Sequence, residues 1–288
     1  SLKHKDWLGF SQLQDVSESS IFIDMYPGSH VIVDHYGLDC QWESNINCES
    51  MTVIDDLADR HHKCSLLIDQ SLKNTKLNYE NLVDGNFDFM GGNLVILREE
   101  FSDERAWEAL GSGKVLICMG GADPKSYTKK ILENIILNHK RCSSPQDEIE
   151  INVIVGSACT DYDDLKSLAV TDKLKVSILF NPENISQLML QSELCILSCG
   201  TMILEACALG VPSIGLAVAE NQKSTAEFLA SSGAIELYDF NNEKDLSIYR
   251  VILDFINNPK KLSLCSKKLK TMVSSDATEI IARRLCES

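Results

Sequence analysis

The chain has 288 residues, of which 44% are hydrophobic, and its formal net charge is −15. This length allows two ordinary domains, but the acidic balance argues against nucleic acid as a partner, because a phosphate backbone requires a positive protein face. No apolar stretch approaches the ~20 residues of a membrane span and no signal peptide opens the sequence, so we predict a cytoplasmic protein without a membrane partner. The eleven cysteines include no CxxC pair, which predicts reduced thiols rather than a disulfide framework or a zinc site.

Short apolar runs in the first third of the chain predict strands of a parallel sheet. The predicted strands are 31–33, 52–54, 65–69 and one more within 89–97, with a helix over 39–48. His35 and Tyr36 follow the first strand, and polar residues just past the carboxyl end of a buried strand are where ligands bind in open α/β sheets. The neighbouring histidines His61 and His62 are predicted to lie in a solvated loop.

The rest of the chain alternates strands with helices and predicts a doubly wound parallel sheet. The predicted strands are 114–119, 150–155, 175–180, 194–197, 213–218 and 234–238. The predicted helices are 126–138, 162–169, 184–192, 202–209, 225–232, 243–257, 260–273 and 276–287. Gly111 and Gly113 mark the best candidate boundary, which divides the chain into domains 1–111 and 112–288.

Two strand-to-helix turns in the second half are candidate anion sites. One contains Gly120 and Gly121, and the other runs from Ser198 to Thr201. Small residues leave backbone N–H groups accessible at a helix N-terminus, where a phosphate binds readily. On the turns alone, a tight strand-to-helix connection with no ligand is the better interpretation. Glu205, one turn inside the second helix, either accepts hydrogen bonds from a ribose or is an ordinary solvated glutamate.

Five blocks in this order resemble one known family. They are VIVDHYGLD, VIDDLADRHHKCSLLIDQSL, GGNLVILREEF, ICMGGADP, and SCGTMILEA followed by AENQKSTA. The chain resembles, over nearly its whole length, the PseG family of nucleotide-sugar hydrolases, UDP-2,4-diacetamido-2,4,6-trideoxy-β-L-altropyranose hydrolase of pseudaminic acid biosynthesis. The resemblance implies two Rossmann-like domains in the glycosyltransferase-B architecture, related to the UDP-N-acetylglucosamine transferases of peptidoglycan synthesis. It also implies release of UDP by water with inversion at C1 and without a metal. We further expect a monomer that needs no cofactor.

The resemblance assigns roles to residues inside the matching blocks. Tyr36 matches an active-site tyrosine near the sugar, Glu205 matches the ribose-binding glutamate, and Asn221 matches an asparagine at the lip of the site. The segments that match the lining of the UDP site contain Gly120, Gly121, Gly200 and Thr201. Each of these residues also has an ordinary structural interpretation, as a turn glycine, a strand-end tyrosine or a loop asparagine.

The sequence departs from the family at the general base. The family uses a histidine in a Gly-His turn that precedes the Asp34-His35-Tyr36 block by roughly 30 residues or more, the length of a βα unit. Neither His4 nor His30 lies in such a turn. We therefore expect an incomplete N-terminal domain, and His35 is the nearest alternative base, with a structural hydrogen-bonding role as the competing interpretation.

Two other functions stay open at this stage. A glycosyltransferase of the same architecture would transfer the sugar of a UDP-sugar to an acceptor other than water. A non-catalytic UDP-sugar-binding module of a larger protein would bind the nucleotide and release nothing.

Overall fold

The structure is a computed structural model that describes residues 6–102, 107–142, 149–171, 174–240 and 247–287. The chain divides into two compact units. The first contains the residues up to Ile96 together with those from Asp276 onward, and the second runs from Leu97 to Ser275.

The first unit is built on a parallel sheet in which each strand pairs with the next one along the chain. Its strands are β1 (His30–Val33), β2 (Ser50–Ile54), β3 (Leu66–Ile68) and β4 (Asp88–Met90), and its first helices are α1 (Gln12–Ile23), α2 (Cys40–Glu43) and α3 (Lys76–Tyr79). The helix predicted over residues 39–48 was too long: α2 ends at Glu43, because Ser44, Asn45 and Asn47 favour turns over a helix interior.

The second unit contains a parallel sheet of six described strands with helices between them. Its elements are β5 (Lys114–Cys118), α4 (Tyr127–Cys142), β6 (Glu150–Val155), α5 (Tyr162–Ala169), β7 (Lys175–Phe180), α6 (Ile185–Leu190), β8 (Leu194–Ser198), α7 (Thr201–Leu209), β9 (Ser213–Leu216), α8 (Lys223–Ser231), β10 (Glu236–Leu237), α9 (Ile248–Ile256) and α10 (Pro259–Leu269). The strand order is β10-β9-β8-β5-β6-β7, the doubly wound order of dinucleotide-binding folds. The predicted α/β class with Rossmann-like parallel sheets is confirmed.

The core of the second unit explains why its strands were readable from sequence. Strands β5 and β8 lie at the centre of the sheet, and nearly all their side chains are buried. A strand covered on both faces becomes a continuous apolar run rather than an alternating one. Cys118, Cys195 and Cys207 are buried as small hydrophobic residues, and burial raises the pKa of the Cys118 thiol to about 11.

The division between the units differs from the boundary predicted at Gly111. The segment that follows Ile96 is bound to the second unit: the Trp107 indole donates to the carbonyl of Ser192 at 2.8 Å. The amides of Gly111 and Gly113 both donate to the Glu193 carboxylate at 2.8 Å. The glycines therefore lie inside the second unit rather than at its edge.

The last helix returns to the first unit. This helix, α11 (Ala277–Cys286), contributes Ile281 to a buried cluster with Leu66 and Ile68 of β3. Arg284 on the same helix forms an ion pair with Asp88 at the start of β4. Residues 112–288 were predicted to form one continuous domain, but the structure assigns the residues from Asp276 onward to the first unit.

Candidate functional site

The two glycine turns lie side by side in the second unit. They follow β5 and β8, which are neighbours at the point where the strand order reverses. A Cβ atom built on Gly120 would lie 3.9 Å from Oγ of Ser198, the last residue of β8. Ligands of open α/β sheets bind at this topological switch point, beyond the carboxyl ends of the strands. The structure thus brings together the two turns that the sequence singled out.

The helix N-termini after the two turns differ in how they are satisfied. The Asp123 carboxylate accepts hydrogen bonds from the amides of Tyr127 and Thr128 at 2.9 and 2.7 Å, so a protein carboxylate already occupies the start of α4. Helix α7 begins after Gly200 and has no side-chain cap. Because the first amides of a helix lack intrahelical partners and carry partial positive charge, the α7 turn is the better candidate for an anion site.

Close packing fixes the backbone of the Gly120–Gly121 turn. Gly120 has a φ angle of +93°, which a residue with a side chain rarely adopts. Asp123 and Ser126, farther along the same loop, also have positive φ angles of 42° and 54°. A Cβ atom on Gly156 would lie 2.4 Å from the carbonyl oxygen of Gly121. The end of β6 therefore holds the turn in place, and only a glycine at 156 permits this approach.

Gln222 lies beside the α7 turn, although sequence reasoning did not select it. Its Nε2 atom is 3.1 Å from where a Cβ of Gly200 would stand, and its Oε1 atom accepts a hydrogen bond from the Val218 amide at 3.0 Å. Asn221 is half-buried in the same short 3-10 helix, Glu220–Gln222, and its role at the lip of a site stays a prediction. Thr201, the first residue of α7, is exposed.

Glu205 is not a solvated helix glutamate, since its side chain is 1% exposed. Its two carboxylate oxygens accept hydrogen bonds from Nε and Nη2 of Arg98 at 2.8 and 3.0 Å. Burial raises the pKa of Glu205 against the opposing effect of the guanidinium. Sequence reasoning missed Arg98, because 107 positions separate the two partners. The ribose-binding role of Glu205 stays a prediction.

Tyr36 lies in a defined polar environment in the first unit. Its hydroxyl donates a hydrogen bond to Oδ1 of Asp56 at 2.7 Å. The Trp7 ring contacts the Tyr36 ring edge-on with centroids 5.6 Å apart, and the Arg60 guanidinium lies 5.7 Å from the Tyr36 centroid. Burial raises the pKa of Asp56, while the Tyr36 hydrogen bond opposes that rise. Tyr36 and Asp56 together form a pair of groups that can hold and pass a proton.

His35 is bound to its own loop. Its Nδ1 atom accepts a hydrogen bond from the Gly37 amide at 3.0 Å. A neutral imidazole that accepts at Nδ1 carries its proton on Nε2, so in this tautomer Nε2 is a donor and not an acceptor. A role as general base would require the loss of the Gly37 hydrogen bond.

The two histidines at 61 and 62 have different surroundings. His61 is exposed, as predicted, but the prediction for His62 is wrong, because its side chain is fully buried. Nδ1 of His62 lies 2.7 Å from Oε1 of Glu43, and Nε2 lies 3.8 Å from Oδ2 of Asp55. Burial favours the neutral imidazole, but the Asp55 and Glu43 carboxylates outweigh it and raise the pKa of His62 to about 9.

Comparison with known proteins identifies the family of the second unit. Residues 115–281 match the Glycosyltransferase family 28 C-terminal domain. This match includes all of β5 except its first residue, both glycine turns and Glu205. The chain belongs to this family.

One relative of this chain supports the resemblance seen in the sequence blocks. The UDP-2,4-diacetamido-2,4,6-trideoxy-β-L-altropyranose hydrolase of Campylobacter jejuni is 28% identical to it over 207 residues, which are 70% of this chain and 71% of the relative. The assignment to PseG-like proteins is thereby confirmed at the level of the family.

Solved structures confirm that this chain has the glycosyltransferase-B fold. MurG of Acinetobacter baumannii superimposes with a TM-score of 0.62 at 12% identity, over 96% of this chain and 78% of MurG. The spinosyn rhamnosyltransferase SpnG complexed with thymidine diphosphate superimposes with a TM-score of 0.60 at 14% identity, over 94% of this chain and 77% of SpnG.

Among the helices that the structure describes, none has the length and apolar character needed to cross a bilayer.

Proposed function

We propose that this chain processes a UDP-sugar, and that it is a hydrolase that releases UDP from UDP-2,4-diacetamido-2,4,6-trideoxy-β-L-altropyranose in pseudaminic acid biosynthesis. The relative from Campylobacter jejuni, which carries that activity in its name, supports the substrate and the reaction. The observation that carries the nucleotide half of the proposal is the uncapped N-terminus of α7 at the switch point of the family 28 domain.

The diphosphate is proposed to bind at the α7 turn. The backbone amides of Gly200, the N-cap residue, and Thr201 lie at the start of a nine-residue helix. They belong to the turn whose Ser198 lies beside Gly120. Helix amides and the helix dipole stabilise negative charge without basic side chains, which suits a chain with a net charge of −15. As UDP leaves, the charge that develops on its phosphate oxygen is stabilised in the same way.

The bond changes of the proposed hydrolysis are simple. The oxygen of water forms a bond with C1, the bond from C1 to the phosphate oxygen breaks with inversion, and its electron pair leaves with UDP. One proton of the attacking water passes to a protein base. We propose the Tyr36–Asp56 pair for this proton transfer in preference to His35, since the Nδ1 atom of His35 is already an acceptor for the Gly37 amide.

A glycosyltransferase that uses a UDP-sugar is the second candidate. It is favoured by the match to a glycosyltransferase family and by the folds of MurG and SpnG. In that reaction the hydroxyl of an acceptor replaces water, and the leaving group and its stabilisation are the same.

Product release in water distinguishes the candidates. The purified chain is incubated with the UDP-altropyranose substrate, and UDP is quantified with and without candidate acceptor sugars, with UDP-N-acetylglucosamine as the control substrate. The hydrolase proposal predicts release of UDP without any acceptor. Release that requires an acceptor would assign the chain as a transferase, and binding of the substrate without release would assign a non-catalytic module.

A further inference from the structure

A compact charged cluster lies beside the α7 turn in the second unit. The Arg98 guanidinium donates through Nε and Nη2 to the two oxygens of Glu205 at 2.8 and 3.0 Å, and its Nη1 lies 3.0 Å from Oε1 of Glu100. Glu205 is 1% exposed, whereas Arg98 is 47% exposed. A two-point bond between a guanidinium and a carboxylate fixes the plane of the carboxylate as well as its position.

The surrounding contacts hold Arg98 in one place. Its guanidinium lies 4.8 Å from the ring centroid of Phe101, which is fully buried. The second oxygen of Glu100 accepts a hydrogen bond from the Ser186 amide at 2.9 Å, which ties the segment to the start of α6. The guanidinium is therefore anchored before any ligand binds.

The charge of the cluster indicates which part of a nucleotide it suits. Two carboxylates and one guanidinium leave a net negative charge, which repels a phosphate. Hydroxyl groups are neutral donors, and a carboxylate is a strong acceptor for them. Arg98 uses one acceptor direction on each oxygen of Glu205, and each oxygen has about one further lone pair for a hydroxyl.

We propose that Arg98 is a positioning residue that holds the Glu205 carboxylate in the orientation in which it accepts hydrogen bonds from the ribose hydroxyls of UDP. This inference rests on the proposed function, because it assumes that the ligand is UDP. It assigns a role to a residue of the block LREEF, at 97–101, that the nucleotide site did not otherwise use.

The acid–base properties of the cluster agree with this role. Burial raises the pKa of Glu205, Arg98 opposes the rise, and the charge of Glu100 adds to it. Cys118 also faces the pair, but its thiol stays neutral because its pKa is about 11. Without Arg98, both burial and Glu100 raise the pKa of Glu205 without opposition, so the carboxylate is protonated at a higher pH than in the parent.

The test compares two ligands that differ in the ribose hydroxyls alone. UDP and 2′,3′-dideoxy-UDP are titrated by calorimetry into the parent, Arg98→Gln, Arg98→Lys and the control Arg250→Gln, which changes an exposed arginine on α9. The parent is expected to prefer UDP by about tenfold or more, the value of hydrogen bonds to a charged group. Arg98→Gln is expected to lose this preference through weaker UDP binding, with dideoxy-UDP binding unchanged, and Arg98→Lys is expected to keep part of it.

A pH series provides a second readout that a purely structural role would not move. As the pH is lowered, the affinity of Arg98→Gln for UDP is expected to begin to fall at a higher pH than that of the parent, because removing the guanidinium raises the pKa of Glu205. Dideoxy-UDP, which carries the same phosphates, is expected to show no such difference between the two proteins. Arg250→Gln is expected to behave as the parent in every titration.

Several results would overturn the inference while leaving UDP binding established. The affinity of both Arg98 variants for UDP could be unchanged, or the variants could bind UDP and dideoxy-UDP equally more weakly than the parent does. The variants could also bind UDP more tightly, and that result would mean that Arg98 competes with the ribose for Glu205. A parent that binds UDP and dideoxy-UDP equally would also overturn it. A parent that binds neither ligand would instead refute the proposed function, and the inference with it.

Discussion

At the scale of single residues, the Tyr36 hydroxyl is the group whose removal tests the proposed chemistry most narrowly. Tyr36→Phe deletes the donor to Asp56 and keeps the ring between Trp7 and Arg60. Positioned proton transfer contributes ~10²- to 10⁴-fold to a rate, so we expect UDP release to slow by about 10²-fold or more with little change in the affinity for UDP. Single-turnover kinetics measure the rate of UDP release, and calorimetry measures the affinity for UDP. A variant that releases UDP as fast as the parent would exclude Tyr36 from the proton transfer.

His35 is predicted to tolerate a replacement that keeps its hydrogen bond. In His35→Asn the amide oxygen can accept from the Gly37 amide as Nδ1 does in the parent. If the histidine has only this local role, UDP release is expected to stay within about threefold of the parent, well short of the 10²-fold loss expected for a general base. A loss of that size in the same single-turnover assay, in a variant with normal thermal unfolding, would restore His35 as the base.

Candidate site residues were easier to predict from the sequence than the residues that form hydrogen bonds with them. Tyr36 could be chosen because it follows a predicted strand, and Glu205 because it lies one turn inside a helix that follows a candidate anion-binding turn. Their partners Asp56 and Arg98 are separated from them by 20 and 107 positions, and no local pattern connects residues so far apart. The burial of Glu205 was unpredictable for the same reason, since Arg98 is what makes a buried carboxylate tolerable.

At the scale of elements, the buried His62 links the end of β2 to α2 through charge. Its pKa is raised from 6.5 to about 9, so the stability that it contributes is complete below about pH 6.5 and is lost as the pH rises through about 9. One pKa unit corresponds to about 1.4 kcal/mol, so the free energy of unfolding is expected to fall by about 3 kcal/mol across this interval. Urea unfolding from pH 6 to pH 9.5 measures this fall.

The matched controls for that prediction are neighbouring histidines. His62→Gln is expected to be less stable than the parent at pH 6 and to lose most of the pH dependence. His61→Gln changes the exposed neighbour and is expected to keep the parent's profile. Equal profiles for His62→Gln and the parent would show that the Glu43–His62–Asp55 contacts do not carry the charge assigned to them.

Two glycines of the second unit differ sharply in their tolerance of a methyl group. Gly156→Ala would place a Cβ 2.4 Å from the Gly121 carbonyl oxygen, whereas Gly121→Ala meets nothing within 4 Å. We expect Gly156→Ala to lower the free energy of unfolding by about 1–3 kcal/mol, the usual cost of overpacking, and Gly121→Ala to change it by about 0.5 kcal/mol or less. Urea unfolding of both variants tests this; a Gly156→Ala variant as stable as the parent would contradict the close approach.

Predictability at this scale followed the strength of the local sequence pattern. The bounds predicted for β6, β7 and α5 agree with the structure, because a short apolar run and a 3.6-residue period are strong local signals, even though β7 is only partly buried. The short α2 was overextended, because Trp42 gave an apolar centre without the periodic pattern of a longer helix. The strand predicted within 89–97 is likewise short in the structure, where β4 ends at Met90.

At the scale of the whole molecule, the return of α11 to the first unit gives a test of its domain organisation. Ile281 is 2% exposed and packs with Leu66 and Ile68, whereas its neighbour Ile280 is 38% exposed. Ile281→Ala is expected to cost about 2–5 kcal/mol, while Ile280→Ala costs less than about 1 kcal/mol. Hydrogen exchange of β3 amides measures the loss in the first unit, and equal protection in both variants would contradict this packing.

The return of α11 also marks where sequence reasoning ended. Alternating strands and helices predicted the fold class, because each local pattern agrees with the doubly wound sheet. They could not show that the last helix rejoins the first unit, since its apolar stripe fits any partner surface. The same limit applied at Gly111 and Gly113, whose flexibility suggested a linker although Glu193 binds both amides.

We propose that this chain cleaves the C1–O bond of a UDP-sugar with water. Hydrolysis of the UDP-altropyranose substrate in ¹⁸O-labelled water, with mass analysis of both products, tests that claim directly. Attack of water at C1 places one ¹⁸O atom in the C1 hydroxyl of the released sugar and none in UDP. Label in the phosphate of the nucleotide product would mean that water attacks phosphorus instead, and no release of UDP at all would contradict the assignment as a hydrolase.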